Sequence, residues 1–387
     1  MNIGFDAKRA YHNGTGLGHY SLTLINSLAE FFPGHQYYLF NPKASSKFHP
    51  VAQNNVHEIL PEFPSSLFPS AWRSSWVKKD LEKFKIDLYH GLSHEIPLGI
   101  QKTNTRSVVT IHDLIHERYP EQYNAIDVKI YHKKFRYACA YADKIIAISN
   151  QTKQDIIEFY KTPAEKITVC YQSCNPAFSG VILEEEKQRI KKLYDLPEKY
   201  FLYVGSIIER KNLLSICKAL TLLKNDPDSS QEDIPLIVIG NGGKYKQQVK
   251  EYILQNELQT QVIFLSEHKS AGFEEFRTAR DFPAIYQGAI AMIYPSTFEG
   301  FGIPVLEALF SKLPLITSNK SSLPEAGGDA AYYIDPYSPE EIALAMKKIF
   351  YDEHLRTVMI QKGLVHAQNF TQEKCAEAVM NVYKYLT

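Results

Sequence analysis

Two glutamates with a glycine-containing turn between them are the residues best suited to chemistry in this sequence. Glu299 and Glu307 are separated by seven residues, with Gly300 and Gly302 in the interval. Glycines let a backbone approach a ligand closely, and the free amides of a helix starting near Ile303 attract a diphosphate. A solvent-exposed turn with a helix-stabilising glutamate is the alternative interpretation.

The two glutamates are predicted to have different roles. Glu307 falls about one turn into the predicted helix, so its carboxylate reaches past the phosphates to ribose hydroxyls. Glu299 falls at the mouth of the loop, where a transferred group would lie. Phe301 and Ile303 complete the loop and join Gly300, Gly302 and Glu307 as donor-binding candidates.

A second candidate segment follows a predicted strand at 200–204. It contains Gly205 and then the adjacent cations Arg210 and Lys211. Two cations at a strand end can neutralise a leaving diphosphate, whose negative charge grows during group transfer. A surface-exposed basic pair is the alternative.

A third segment has glycines at 14, 16 and 18, before a predicted helix at 19–31. It fails as a dinucleotide fingerprint because His19 occupies the position of the last glycine. We predict a loop in which Gly16 and Gly18 approach a ligand, with an ordinary flexible turn as the alternative.

His112 and Asp113 end a predicted buried strand at 107–111. An imidazole at the carboxyl end of a parallel strand can bond a hydroxyl or support a reacting centre. Asp113 either joins it or caps the next segment. His90, at the end of the strand predicted at 87–90, is a weaker candidate for binding an acceptor.

Other patterns are discounted. The glycines at 240–243 lack the spacing of a phosphate-binding P-loop. The aromatic stretch 63–76 and the lysines after it favour an ordinary helix over a membrane-binding one. Five scattered cysteines indicate free thiols, and no metal site is predicted.

The elements around these motifs alternate between short apolar runs and amphipathic stretches, which predicts βαβ units and parallel sheets. Strands are predicted at 2–5, 36–40, 87–90, 107–111, 144–148, 166–170, 200–204, 234–239, 262–265, 289–294, 314–317 and 331–334. Helices are predicted at 19–31, 72–84, 127–142, 150–159, 184–194, 212–223, 244–256, 303–310, 339–350, 353–367 and 371–385.

This order predicts an α/β protein of two Rossmann-like, doubly wound domains facing a central cleft. The first spans 1–178 and the second 179–370, while the last helix (about 371–387) either completes the second domain or packs back on the first. The 387 residues carry 43 basic and 43 acidic side chains. That balance argues against a nucleic-acid binder. It conceals a basic first domain (+4) and an acidic second one (−4).

The segment from Pro295 to Ala308, with its two glutamates, resembles the E-x7-E motif of retaining GT-B glycosyltransferases, in particular the large bacterial family four. The resemblance spans nearly the whole chain and is strongest to mannosyltransferases of polysaccharide biosynthesis. It implies a nucleotide-sugar donor held by the second domain and an acceptor held by the first. It also implies retention at the anomeric carbon without a metal or other cofactor.

The resemblance also implies catalytic roles for His112, Arg210, Lys211 and Glu299, with the diphosphate bound by Arg210 and Lys211. Gly16, Gly18 and Gly205 join the donor-binding candidates. Ser206 departs from the pattern, since many family members have arginine directly after this glycine.

We therefore expect a cytoplasmic hexosyltransferase that transfers a sugar, with GDP-mannose preferred, to a glycan or lipid-linked saccharide by front-face attack. A nucleophilic role for Glu299 or Asp113 stays open. The alternatives are a GT-B nucleotide-sugar epimerase or phosphorylase and a non-catalytic sugar-nucleotide-binding scaffold. Peripheral contact of the first domain with the inner face of the membrane is a further option.

Overall fold

Two parallel β-sheets, each in its own unit, organise the residues described by the computed structural model, which are 1–14, 16–45, 50, 53–226 and 235–387. Unit 1 comprises Met1–Cys174 and Phe370–Thr387, and unit 2 comprises Asn175–Asn369. The division lies a few residues before 178, and the last helix belongs to unit 1. The predicted α/β class with two Rossmann-like domains is confirmed.

The strands are short and mostly buried. Those of unit 1 are β1 (Asn2–Asp6), β2 (Gln36–Phe40), β3 (Val56–Ile59), β4 (Leu88–Gly91), β5 (Arg106–Ile111), β6 (Lys144–Ala147) and β7 (Ile167–Val169). Those of unit 2 are β8 (Phe201–Val204), β9 (Leu236–Ile239), β10 (Val262–Phe264), β11 (Ala291–Tyr294), β12 (Leu315–Ser318) and β13 (Tyr332–Ile334).

The α-helices alternate with the strands. They are α1 (Lys8–His12), α2 (Gly16–Phe31), α3 (Pro69–Ala71), α4 (Lys78–Lys83), α5 (Ile115–Arg118), α6 (Ala125–Tyr141), α7 (Asn150–Tyr160), α8 (Glu184–Leu193), α9 (Leu213–Lys224), α10 (Lys244–Gln255), α11 (Glu274–Arg277), α12 (Phe282–Gly288), α13 (Ile303–Phe310), α14 (Leu323–Gly327), α15 (Pro339–Tyr351), α16 (Glu353–Ala367) and α17 (Gln372–Leu386).

Each sheet reverses its strand order once. The sheet of unit 1 has the order β3-β2-β1-β4-β5-β6-β7, and that of unit 2 has the order β10-β9-β8-β11-β12-β13. The reversal lies between β1 and β4 in unit 1 and between β8 and β11 in unit 2. Loops leave the carboxyl ends of two such strands in opposite directions, which opens a crevice where ligands bind.

Helices cover both faces of the first sheet, so its central strands are buried on both sides, as β5 is from Ser107 to Ile111. Val108 packs with α2 and α17 on one face, whereas its neighbour Val109 packs with α6 and α7 on the other. The α17 side chains Val379, Met380 and Tyr383 are part of the first of these cores. Unit 1 is therefore completed by a segment that follows the whole of unit 2 in the chain.

Several elements differ from the sequence-based expectations. The helix predicted at 72–84 is broken by a π-helical turn, Trp72–Trp76, before α4. The Trp72 indole is buried there and donates a hydrogen bond to Asp80 (2.7 Å). The edge strand β3 was not predicted. Of the strand predicted at 234–239, position 234 lies outside the described residues.

Candidate active site

The candidate site of unit 2 lies at the crevice between β8 and β11. The loop after β8 leads from Gly205 to Arg210 and Lys211, and the loop after β11 leads to Glu299. Gly205 has φ of 148°, and a Cβ at this position would lie 3.8 Å from Lys211 Cδ, so the lysine stem passes beside it. Two segments separated by more than 80 residues are thus brought to one place.

Glu299 is the centre of this cluster. Its Oε1 atom forms ion pairs with Lys211 Nζ (2.6 Å) and Arg210 Nη1 (3.0 Å). The same oxygen lies 2.6 Å from Ser296 Oγ and 3.1 Å from the Tyr294 hydroxyl. All three charged side chains are nearly buried, with 10–13% of each exposed. The predicted catalytic trio of Arg210, Lys211 and Glu299 is therefore in direct contact.

The charge of Glu299 is set by its neighbours. Burial opposes ionisation of the carboxyl group, but Lys211 and Arg210 outweigh it and lower the pKa of Glu299 to about 2. A carboxylate of such low pKa is a poor base. The trio carries one net positive charge, which suits the binding of an anion.

Arg210 is held by hydrogen bonds of both its backbone carbonyl and its guanidinium group. The Arg210 carbonyl accepts from Thr297 N at 2.8 Å, and its guanidinium donates to the Phe298 carbonyl. Lys211 Nζ donates to the Tyr294 hydroxyl and lies 4.7 Å from the centre of the Tyr294 ring. Both cations are held in one geometry before any ligand arrives, which limits the entropy that binding costs.

Glu307 lies in the first turns of α13, in a separate, half-buried position. Its Oε2 atom accepts a hydrogen bond from the Tyr286 hydroxyl at 2.8 Å. Burial raises the pKa of Glu307 to about 7, although the Tyr286 bond and Lys211 act against it. The two glutamates of the motif therefore differ in charge, one ionised and the other partly protonated near neutral pH.

The turn between them is held by two serines of the loop after β12. Ser321 Oγ accepts from Glu299 N at 2.9 Å, and Ser322 Oγ lies 2.9 Å from the Glu299 carbonyl and 3.0 Å from that of Phe301. The Phe301 side chain is buried. Gly302, at φ of 110°, begins α13, and Pro304 occupies its first turn.

The residues that hydrogen-bond to the two glutamates were not predicted from the sequence. Tyr294 is buried at the end of β11 and reads as a core residue, although its hydroxyl contacts Glu299. Ser296 lies two residues after it, in the same motif as Glu299, and that proximity was the available signal. For Tyr286 on α12 the sequence held no such signal, because only the tertiary fold brings this residue to Glu307.

In unit 1, His112 follows β5 and is buried. Its Nε2 atom bonds the Leu92 carbonyl at 2.9 Å, its ring packs edge-on against Tyr20, and burial lowers its pKa to about 4. His112 is therefore neutral near pH 7, and since Nε2 donates, Nδ1 carries the lone pair. Asp113 accepts from Ile115 N at 3.1 Å, as a cap for α5 would.

His90 is a core residue and not an accessible binding group. Its two ring nitrogens bond the Tyr383 hydroxyl (2.5 Å) and Thr110 Oγ1 (2.8 Å). Burial lowers its pKa to about 3. The side chain is 0% exposed, so the weaker acceptor-binding candidate is wrong.

Gly16 and Gly18 lie in the first turn of α2 and not in a free loop. A Cβ at Gly18 would come within 1.7 Å of the Asn13 carbonyl oxygen, so that glycine is required by packing of the preceding turn. A Cβ at Gly16 would meet nothing within 4 Å. Gly16 alone is open to a ligand's approach, while the predicted loop conformation is wrong for both.

The described part of the chain contains neither a metal-binding cluster nor a helix able to span a membrane. Within residues 1–14, 16–45, 50, 53–226 and 235–387, no group of three or more His, Cys, Asp or Glu side chains is arranged to hold a metal ion. Of the helices in these same ranges, none combines the length and the apolar character that crossing a bilayer requires.

Two protein-family models match the chain. Residues 14–178 match the model described as Glycosyltransferase Family 4, and residues 184–365 match the model described as Glycosyl transferases group 1. The first match falls within unit 1 and the second within unit 2. Together they leave unmatched little more than the first strand, the hinge and the last helices.

Curated relatives and solved structures are similar to the chain over two thirds of its length or more. O-antigen chain mannosyltransferase B of Escherichia coli is 26% identical over 100% of both chains. O-antigen chain mannosyltransferase RfbU of Salmonella typhimurium is 29% identical over 66% of this chain and 63% of its own. The crystal structure of Anabaena HepE in complex with UDP-glucose superposes with a TM-score of 0.72 at 17% identity, covering 100% of both chains.

Proposed function

This chain belongs to the GT-B glycosyltransferases of family four, and from that premise we propose that it is a retaining hexosyltransferase. It transfers a sugar from a nucleoside diphosphate sugar to a glycan or lipid-linked saccharide. The observation that carries the proposal is the contact of Arg210, Lys211 and Glu299 at the crevice of unit 2. Mannose is the proposed sugar and GDP-mannose the proposed donor, because O-antigen chain mannosyltransferase B, RfbU and WbdA, to which the chain is similar, are mannosyltransferases.

The proposed reaction is a front-face transfer. The acceptor hydroxyl oxygen bonds to the anomeric carbon on the face from which the diphosphate departs. The bond from that carbon to the β-phosphate oxygen breaks, and its electron pair stays on the phosphate. The same phosphate oxygen takes the hydroxyl proton, so the products are a glycoside of unchanged anomeric configuration and a nucleoside diphosphate.

Arg210 and Lys211 stabilise the departing diphosphate in this scheme, together with the amides at the start of α13. Electrostatic stabilisation of developing charge is commonly the largest catalytic contribution. The two fixed cations supply the charge for which other transferases use a divalent metal, and this supports a metal-independent reaction. Activity unaffected by EDTA is the expected result, and loss of activity that Mg²⁺ or Mn²⁺ restores would contradict it.

Glu299 supports front-face attack over a covalent intermediate. A nucleophile needs a lone pair free to attack, whereas one oxygen of Glu299 contacts Arg210 and Lys211 as well as two hydroxyls. We propose that Glu299 positions the two cations and that Glu307 binds the ribose. His112 acts from the acceptor side through its unprotonated Nδ1.

The decisive experiment is a donor panel of GDP- and UDP-sugars read by nucleotide release, with product configuration determined by NMR. Release with GDP-mannose and a product of retained configuration is expected. Epimerised donor without release would indicate an epimerase, and phosphate-dependent release of a sugar phosphate would indicate a phosphorylase. Tight donor binding without turnover would indicate a scaffold.

We also propose a cytoplasmic location with peripheral membrane contact through unit 1. The sequence of segment 63–76 favoured an ordinary helix over a membrane-binding one, but the structure exposes its aromatic side chains. Phe63, Phe68 and Trp76 are 81%, 57% and 42% exposed, and Lys79 follows them. Exposed aromatic groups beside lysines favour an anionic membrane surface. Flotation with phosphatidylglycerol vesicles is expected, and equal flotation of a Phe63→Ser/Phe68→Ser variant would contradict the assignment.

A further inference from the structure

A cavity of about 300 Å³ opens at the crevice between β1 and β4 of unit 1. It occupies the same place in the first sheet as the Glu299 cluster does in the second. Asp6 at the end of β1 and Glu95 in the loop after β4 both line it. Its volume is at the lower end of the range for small-molecule sites, which is about 300–1,000 Å³.

One end of the cavity is formed by a buried ion cluster. Arg73 donates from Nε to both Asp6 oxygens at 3.0 and 2.9 Å, and from Nη1 to Glu95 Oε2 at 3.0 Å. Lys134 Nζ bonds the other Glu95 oxygen at 3.2 Å. The Asp6 and Arg73 side chains are 5% and 11% exposed. This cluster holds two carboxylates in fixed positions with lone pairs still available.

Tyr89 supplies the second observation. Its side chain is 2% exposed and lines the same cavity. Among the described residues, none hydrogen-bonds its hydroxyl. A buried hydroxyl without a partner costs free energy, so a cavity group that bonds it gains affinity.

The loop that carries Glu95 folds back against Gly91, the last residue of β4. A Cβ at Gly91 would lie 1.9 Å from the Glu95 carbonyl oxygen, so only glycine permits this close approach. His94 has φ of 64° and its Nδ1 accepts from His112 N at 3.4 Å. The loop that carries Glu95 is thus also hydrogen-bonded to His112.

The remaining walls are mostly apolar and come from Ile96, Pro97, Leu98, Ile130 and the Tyr137 ring, with Ser74 and Lys133 as the polar exceptions. A hexopyranose has this same division, with C–H groups on its faces and hydroxyls at its edge. Lys133 and Lys134 also line the cavity, but a phosphate fits less well than a neutral group, because both carboxylates repel it and Arg73 and Lys134 are already paired with them. An alkyl chain fits poorly, because it leaves the Tyr89 hydroxyl without a partner.

We propose that this cavity binds a neutral hexose unit, with its hydroxyls on Tyr89, Glu95 and Asp6 and a C–H face against Ile96 and Pro97. That this hexose is the terminal sugar of the acceptor rests on the proposed function. The proposal that the cavity binds a hexose is independent of the proposed function.

The test is saturation-transfer NMR with methyl α-D-mannopyranoside, methyl α-D-glucopyranoside and n-octyl phosphate as probes. Millimolar binding of at least one hexoside is expected. Tyr89→Phe should weaken it about tenfold, the effect of losing one buried hydrogen bond. Tyr141→Phe, the same change at a 48% exposed tyrosine, serves as the matched control and should leave binding within about twofold.

Tyr89→Phe removes a hydroxyl without a partner, so its thermal midpoint should equal or exceed that of the wild type, and weaker binding would not reflect misfolding. Hexoside binding that is insensitive to this change, no hexoside binding, or stronger binding of octyl phosphate would each overturn the proposal. Nucleotide release from GDP-mannose, measured on the same samples, reports separately on the proposed function. Release without hexoside binding contradicts the cavity alone, and hexoside binding without release contradicts the transferase alone.

Discussion

At the scale of single residues, the site depends on one carboxylate that two cations share. Glu299 holds Arg210 and Lys211 beside each other, where they would otherwise repel. The residue types of this trio were predictable from the sequence, because each stands in a recognisable motif. Their mutual contact was not, since no pattern in the chain records that the loops after β8 and β11 meet.

Lys211→Ala is expected to lower kcat at least about hundredfold, the usual effect of losing one group that stabilises transition-state charge. It should also lower the free energy of unfolding by about 3 kcal/mol, because Glu299 loses a buried partner. Nucleotide release and urea denaturation measure the two effects.

The single variant Lys211→Gln separates them. Its amide donates to Glu299 in place of the ammonium and leaves the ion pair of Glu299 with Arg210, so it should recover most of the stability and, without the charge, none of the activity. Recovery of both would show that Lys211 acts only on the fold.

Glu307 predicts a dependence of stability on pH. With its pKa raised by burial from 4.5 to about 7, the native protein keeps a proton that the unfolded chain releases. The resulting stabilisation is complete below about pH 4.5 and is lost as the pH rises through about 7, in total roughly 3 kcal/mol. Urea denaturation of wild type and Glu307→Gln at pH 5 and pH 8 measures it.

The wild type should lose most of that amount relative to Glu307→Gln between these two pH values. Parallel changes in the two proteins would show that Glu307 titrates normally.

At the scale of elements, the apolar runs in the sequence predicted the positions of most strands closely. The strand β2 has its predicted bounds of 36–40. Helix starts were harder to place. Gly16 and Gly18 read as a loop because glycine has low helix propensity, yet α2 begins at Gly16 since the packing of Asn13 against the helix tolerates no side chain at Gly18. The π turn at Trp72–Trp76 was equally hidden, because it depends on burial of one indole.

Gly302→Ala tests the turn that begins α13. Its φ of 110° disfavours any side chain, and a Cβ would lie 2.8 Å from Leu323 Cδ2. We expect a loss of about 1–3 kcal/mol in the free energy of unfolding. Nucleotide affinity should fall as well, because the amides at the helix start move.

Gly272→Ala is the matched control in the same unit. A Cβ there meets nothing within 4 Å and its φ is not positive. A similar loss of stability in both variants, measured by urea denaturation, would argue against strain at Gly302.

At the scale of the whole molecule, unit 2 is one continuous piece of chain, whereas unit 1 is made from two. The amphipathic pattern of the last helix was compatible with packing on either unit. The contact that decides between them, α17 against α2, joins residues more than 300 positions apart, and no local pattern encodes it.

Met380→Ala tests how much the packing of α17 contributes to the stability of unit 1. Met380 is 0% exposed within the core of unit 1, so its truncation should lower the free energy of unfolding by about 2–5 kcal/mol. Leu254→Ala, at a position 65% exposed on α10, should change it by about 0.5 kcal/mol or less. Equal effects in urea denaturation would show that α17 contributes little to unit 1.

The late position of α17 has a consequence for how the protein is made. Domains commonly fold in the order in which the ribosome synthesises them. Here the first sheet is translated early, but one of its two cores stays open until residues 372–386 have been synthesised. Unit 2 can therefore finish folding first, while the nascent unit 1 exposes apolar surface that a ribosome-associated chaperone would recognise.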